Sequence, residues 1–240
     1  MKPFFPRNII QTLLLLIVCI AIVCPVVFIT DDSILLHLLI HIIIWCSIYF
    51  VNLKNGHRIK YSFTNDWNSP LLFLAALLVV AFQVGVNHPM VNYLGHALGL
   101  IKEGSETTTA PLYAAVIAGP ILEELVFRGG ILHAFLNNMN RIRAVILSAL
   151  LFGAVHFLPH QIIGAFALGL LFGIVYSRTR NLGHTIVLHM IANAIGMCTS
   201  HLYSHTAPHN SLHIFLPALA ATIAITVLLV KQLRSTPCAY

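Results

Sequence analysis

Long apolar runs separated by short polar stretches fill most of this chain. The runs are continuously apolar and do not alternate with polar residues, so they predict helices and not the strands of a barrel. A helix needs about 20 apolar residues to cross a bilayer. Runs near that length predict eight crossings, at about 9–29, 33–53, 70–90, 109–136, 143–158, 161–177, 184–200 and 211–230.

Composition supports a membrane protein. The chain has 240 residues, of which 58% are hydrophobic and only 8% are charged, whereas soluble domains carry about 25% charged residues. We therefore predict an all-α polytopic transmembrane bundle of about eight helices that forms a single domain over 1–240 in the lipid bilayer. The net charge of +6 could indicate nucleic-acid binding. The basic residues stand at the ends of apolar runs, however, so we expect no nucleic-acid partner.

The positions of the basic residues predict the orientation in the membrane. With the N-terminus in the cytoplasm, eleven Lys and Arg residues fall on the inner side, and only Lys102 falls on the outer side. Because inner loops are enriched in Lys and Arg, both termini are predicted to be cytoplasmic. The eleven are Lys2, Arg7, Lys54, Arg58, Lys60, Arg141, Arg143, Arg178, Arg180, Lys231 and Arg234.

Two adjacent carboxylates lie inside the fourth apolar run. Glu123 and Glu124 stand there with Arg128, although a charge near mid-membrane costs at least a few kcal/mol. Glu124 and Arg128 are four residues apart and can pair, whereas Glu123 is rotated by about 100° and can point elsewhere. Gly119-Pro120 should kink the helix and free the carbonyl of residue 116. The alternative is a Glu–Arg pair that only joins two helices.

Two further apolar runs each carry a pair of candidate site residues at four-residue spacing. Phe152 and His156 share one helical face, and so do His189 and Asn193. Each pair alone could serve only in hydrogen bonds between helices. Taken with Glu123, they place a carboxylate base, histidines and an amide on three helices, a set that suits peptide hydrolysis by activated water.

Four histidines recur at four-residue spacing between the last two runs, at His201, His205, His209 and His213. This spacing could indicate a metal site. Pro208 and Asn210 interrupt any helix there, so we favour a polar outer loop without a metal.

The order of these motifs resembles the CPBP family of CAAX proteases and bacteriocin-processing enzymes, also called ABI. EELVFRG, from Glu123 to Gly129, matches the family's EExxxR motif. Phe152 with His156 matches FxxxH, and His189 with Asn193 matches HxxxN. The resemblance covers a catalytic core at about 110–200, and the eight-helix count agrees with prenyl-protein members of the family.

The resemblance implies a glutamate-dependent intramembrane endopeptidase that acts on a peptide or a membrane-anchored protein. Glu123 and His156 would activate the attacking water, and His189 and Asn193 would stabilise the oxyanion. Glu124, Arg128 and Phe152 would support the site. We expect no metal cofactor, because two His with Glu and Asn on separate helices make a poor zinc set, although zinc stays open. The compact chain resembles bacterial inner-membrane members.

Two alternatives remain open, a non-enzymatic immunity or partner-binding protein of the same fold and a proton-coupled transporter. The predicted boundaries also raise a difficulty, because His156 lies near the outer end of its helix and His189 near the inner end of another. We expect short, tilted helices to bring the two rings together.

Overall fold

The structure, a computed structural model, describes residues 2–25, 33–63, 69–100, 111–156, 159–203 and 212–235. Across these ranges the protein is all-helical, with eight helices and no strand, apart from an isolated bridge between Ser62 and Asn181. The predicted all-α bundle is confirmed. The predicted histidine-rich loop lies mostly outside the described residues.

Six helices are regular α-helices, and two contain π-helical segments. The regular helices are α1 (Ile9–Val23), α2 (Ser33–Lys54), α5 (Arg141–Ala154), α6 (Pro159–Thr179), α7 (Leu182–Tyr203) and α8 (Leu212–Ser235). Helix α3 runs through Pro70–Phe82, a π segment Gln83–Asn87 and His88–Ala97. Helix α4 runs through a π segment Ala114–Ala118, then Gly119–Glu124, a second π segment Leu125–Leu132 and His133–Asn138.

The helices have the length and surface of a multi-pass membrane protein. Four spans in the described part of the chain are long and apolar enough to cross a bilayer: Ile34–Lys54, Pro70–Gly95, Gln161–Thr179 and Leu182–Thr199. Large apolar side chains are exposed on several helices, among them Leu14, Phe73, Ile142 and Ile223. Exposed apolar surface on this scale suits contact with lipid.

Helix α5 is shorter than predicted. Its 14 residues, Arg141–Ala154, extend over about 21 Å at 1.5 Å per residue, less than the roughly 30 Å of a bilayer core. The helix therefore ends four residues before the predicted limit at 158, and His156 lies just beyond it. The predicted end of this helix at residue 158 is wrong, and the expected tilt of the helices stays a prediction.

One end of the bundle gathers the N-terminal segment with the ends of α2 and α4 and the start of α7. Hydrogen bonds connect these parts: Phe5 N to Asn52 Oδ1 at 2.8 Å, Asn138 Nδ2 to Phe4 O at 2.8 Å and Leu182 N to Ser62 O at 3.0 Å. The charge pattern also predicts one common side for these segments. Which side faces the cytoplasm stays a prediction.

Helix α4 lies at the centre of the bundle. Its second π segment is buried, and Val126, Phe127 and Ile131 are at most 1% exposed. A Cβ at Gly129 would lie 2.8 Å from the Tyr61 ring, and one at Gly130 would lie 2.9 Å from the Ile48 side chain. These two glycines therefore let α2 and the segment after it approach α4 closely.

Candidate active site

The π segments of α4 change the register of its backbone around Pro120. The Gly119 N–H donates to the Ala114 carbonyl, five residues back, which is the π-helical pattern. In this register the Ala115 carbonyl would accept a hydrogen bond from residue 120. That residue is Pro120, which has no N–H to donate. Asn193 Nδ2 donates to that carbonyl at 2.8 Å. Asn193 therefore binds the Ala115 carbonyl. The predicted free carbonyl at residue 116 stays a prediction.

Glu124 is buried at the centre of the candidate site. Its Oε1 accepts a hydrogen bond from Arg128 Nη1 at 2.7 Å, with both side chains at most 1% exposed, so the pairing predicted from their spacing is confirmed. The same oxygen lies 2.9 Å from His189 Nδ1. Glu124 thus joins α4 to α7 and fixes the orientation of the His189 ring.

Arg128 holds three helices together. Its Nη2 donates to the Gly169 carbonyl of α6 at 3.2 Å, and its guanidinium carbon lies 4.4 Å from the centre of the Phe152 ring. It also lies 5.3 Å from the centre of the Phe172 ring. Aromatic faces attract a desolvated cation, so the buried guanidinium is held by a carboxylate, a carbonyl and two rings.

Glu123 points away from Arg128, towards α2 and α7. Its Oε1 lies 3.2 Å from His37 Nε2, and its Oε2 lies 3.7 Å from His189 Nε2. Its side chain is 14% exposed, whereas that of Glu124 is fully buried. The two neighbouring carboxylates therefore have different surroundings: Glu124 is enclosed, and Glu123 is partly open.

His156 and His189 both contact the Phe152 ring. The ring centres lie 5.1 Å apart for Phe152 and His156, and 5.6 Å apart for Phe152 and His189. His156 Nδ1 donates to the Phe152 carbonyl at 2.8 Å, which leaves its Nε2 available. The two histidines converge as expected.

The predicted residues are arranged in two parts. Glu123, Glu124, Arg128, Phe152 and His189 form one continuous set of contacts, with His156 at its edge. Asn193 is one helical turn beyond His189 on α7, and its amide binds the α4 backbone. An amide nitrogen carries two hydrogens, so one more N–H is available. The catalytic roles assigned to these residues stay predictions.

Two residues that were not predicted to belong to the site, His37 and His41, lie beside it on α2. His41 Nδ1 donates to the His37 carbonyl at 2.8 Å, and the two ring centres lie 4.4 Å apart. Together with Glu123 they form the group of side chains in the described part of the chain that could hold a metal ion. The signal in the sequence was two histidines four residues apart inside an apolar run, as in HLLIH.

Comparison with known proteins supports a peptidase-like family. Residues 105–195 match the family model described as type II CAAX prenyl endopeptidase Rce1-like. An alignment over 151 residues, which covers 59% of this chain, shows 29% identity to the protein of Bacillus subtilis (strain 168) named "Putative membrane peptidase YdiL". Both matches support the resemblance to the CPBP family over the matched residues. The match spans 58% of the length of the Bacillus protein, and no solved structure matches. All three CPBP motifs, from Glu123 to Asn193, lie inside the matched residues.

Proposed function

We propose that this protein is an intramembrane endopeptidase that uses Glu123 to activate water. The observation that carries the proposal is the contrast between two adjacent carboxylates. Glu124 is fully buried and bound to Arg128 and His189, whereas Glu123 is partly exposed and lies beside His37 and His189. Two carboxylates in such different surroundings suit different roles, one structural and one in proton transfer.

The attacking water is held by Glu123 and His156. Because His156 Nδ1 donates to the backbone of Phe152, its Nε2 can accept a hydrogen from the water. Glu123 takes the other hydrogen as a proton, and the hydroxide oxygen bonds to the carbonyl carbon of the substrate. Glu123 then passes that proton to the leaving amine as the peptide bond breaks.

The oxyanion is stabilised from α7. Glu124 accepts a hydrogen bond from His189 Nδ1, and a protonated His189 ring carries a second N–H on the side of Glu123. This N–H and the second amide hydrogen of Asn193 donate to the oxyanion. Arg128 and Phe152 act indirectly, since they hold Glu124 and the two imidazole rings in place.

We propose that the reaction needs no metal ion, with zinc as the alternative. The proposal is supported by the partners of the motif histidines, because one nitrogen of each ring is already bound, to Glu124 in His189 and to the Phe152 backbone in His156. Among the described residues, the group of side chains that could hold a metal ion includes neither ring.

The proposed substrate is a membrane-associated protein or a peptide precursor, and the proposed location is the inner membrane of a bacterium. A membrane substrate is supported by the helices around the site, four spans of which are long and apolar enough to cross a bilayer in the described part of the chain. The bacterial location is supported by the match to a Bacillus subtilis protein. The name of the matching family model refers to prenyl endopeptidases, and prenylated substrates would require a eukaryotic host.

The experiment is a comparison of the membrane and secreted peptides of cells that express wild type, Glu123→Gln or the control Glu103→Gln at equal protein levels. Glu103 belongs to none of the three motifs and falls in a predicted outer loop, so its substitution removes one negative charge that the proposed mechanism does not use. We expect cleavage products in wild type and Glu103→Gln and none in Glu123→Gln. A cellular role that survives in Glu123→Gln would instead support the non-enzymatic immunity or partner-binding protein.

A further inference from the structure

We propose that α2 and α4 form a binding site for a divalent transition-metal ion of the zinc class, with His37, His41 and Glu123 as its ligands. The site shares Glu123 with the proposed active site, but its histidines belong to neither of the two histidine motifs. Two imidazoles and one carboxylate, with a fourth position open to water, are a common zinc ligand set.

The distances between the donor atoms suit such an ion. Zinc binds imidazole nitrogen and carboxylate oxygen at about 2.0–2.2 Å, which separates the donors of a tetrahedral site by roughly 3.3–3.5 Å. His37 Nε2 and Glu123 Oε1 are already 3.2 Å apart. One donor atom from each of the three side chains lies within 4.8 Å of the others, so small rotations of the side chains would close the set.

The His41 ring is already oriented for coordination. Its Nδ1 donates to the His37 carbonyl at 2.8 Å, and this bond leaves the Nε2 lone pair free. Histidines that bind metals typically donate their other ring N–H to a carbonyl or carboxylate in this way. The backbone of α2 therefore fixes both the tautomer and the direction of the ring.

The site is also accessible. The His37 side chain is 47% exposed, whereas His41 is only 8% exposed. An ion can therefore reach the open His37 ring first and pass inward to the buried His41. His37 is the fifth residue of α2, so the route begins near the end of the bundle where α2 starts.

One consequence rests on the proposed function. An ion bound to the Glu123 carboxylate occupies the lone pairs that would accept the proton of the water. Zinc bound to His37, His41 and Glu123 therefore inhibits cleavage.

The binding test uses the purified full chain in detergent, with zinc in competition against a chromophoric chelator. Because the histidine-rich loop could bind zinc by itself, all proteins carry glutamine at the four loop positions His201, His205, His209 and His213. Against this background we compare His37→Ala, His41→Ala and Glu123→Gln with the control His57→Ala. His57 contacts the Lys2 carbonyl and the Phe4 ring, outside the proposed site.

We expect one zinc ion per chain, with affinity at least tenfold weaker in each of the three site variants and unchanged in His57→Ala. Unchanged zinc affinity in both histidine variants would overturn the proposal, as would the lack of zinc binding by the parent protein. Since His37 is half exposed, its alanine variant should fold even if His41→Ala does not.

The inhibition test separates this inference from the proposed function. We expect zinc to lower the cleavage rate, and the half-inhibitory concentration to rise at least tenfold in His37→Ala. If chelation abolishes cleavage and zinc restores it, both the inhibition and the metal-free mechanism are wrong. If zinc binds through the two histidines but no cleavage occurs under any condition, the metal site stands and the proposed function fails.

Discussion

Replacement of Arg128 by methionine should strongly destabilise the protein, because it leaves a buried carboxylate without its cation. Glu124 is fully buried and Arg128 is 1% exposed, so water cannot compensate either charge. Removal of one partner of such a buried pair costs about 3–5 kcal/mol. The variant also loses the hydrogen bond to the Gly169 carbonyl and the contact with the Phe152 ring, which places the expected loss at the upper end of that range.

The double variant Arg128→Met/Glu124→Leu should recover much of this loss. Replacement of a buried ion pair by apolar side chains of similar volume is often neutral or stabilising. His189 loses its partner in the double variant, so recovery should be incomplete by about 1–3 kcal/mol, the cost of one unsatisfied buried group. We therefore expect the double variant to be more stable than Arg128→Met alone.

The assay is chemical denaturation of the purified protein in mixed micelles, followed by circular dichroism. Arg143→Met serves as the control, because Arg143 is exposed at the start of α5, and surface substitutions usually change stability by only about 0.5 kcal/mol. If Arg128→Met unfolded like Arg143→Met, the pair would not stabilise the fold. If the double variant were less stable than Arg128→Met, the unpaired Glu124 carboxylate would not be the cause of the lost stability.

Three further substitutions test the geometry of α4. Asn193→Ala removes the donor to the Ala115 carbonyl and should lower the free energy of unfolding by about 1–3 kcal/mol. Adding Pro120→Ala should offset that loss, because the double variant Asn193→Ala/Pro120→Ala has a backbone N–H that can donate to the same carbonyl. Purely additive effects of these two substitutions in denaturant titrations would contradict the π register. Gly129→Ala places a Cβ 2.8 Å from the Tyr61 ring and should cost about 1–3 kcal/mol by overpacking. A melting temperature equal to that of wild type would show that the ring moves aside freely.

The main contacts of α4 could be predicted from the sequence because they are local. The four-residue spacing of Glu124 and Arg128 sets their pairing on any helix, and their burial follows from the apolar run around them. The register of the π segments could not be predicted, since an extra residue in a helical turn leaves no periodic signal in so short a run. As a result, the bond from Asn193 to the Ala115 carbonyl could not be predicted.

The contribution of α2 was missed for another reason. His37 and Glu123 are 86 residues apart in the sequence, and no local pattern connects them. The α2 run was interpreted only as a membrane crossing, although two histidines at four-residue spacing inside it carried the same signal as the motifs of α5 and α7. The convergence of His156 and His189 depended on the early end of α5 at Ala154, which hydropathy placed four residues too late.

The central claim is that Glu123 is the base that activates water for peptide cleavage. The most direct measurement is the initial rate of cleavage by purified wild type and Glu123→Gln in proteoliposomes, with a peptide found in the cellular comparison and with chelator present. General base catalysis contributes about 10²–10⁴-fold, so the rate of Glu123→Gln should fall by at least about a hundredfold while its melting temperature stays close to that of wild type. Cleavage by Glu123→Gln at a rate near that of wild type would contradict the assignment of Glu123 as the base.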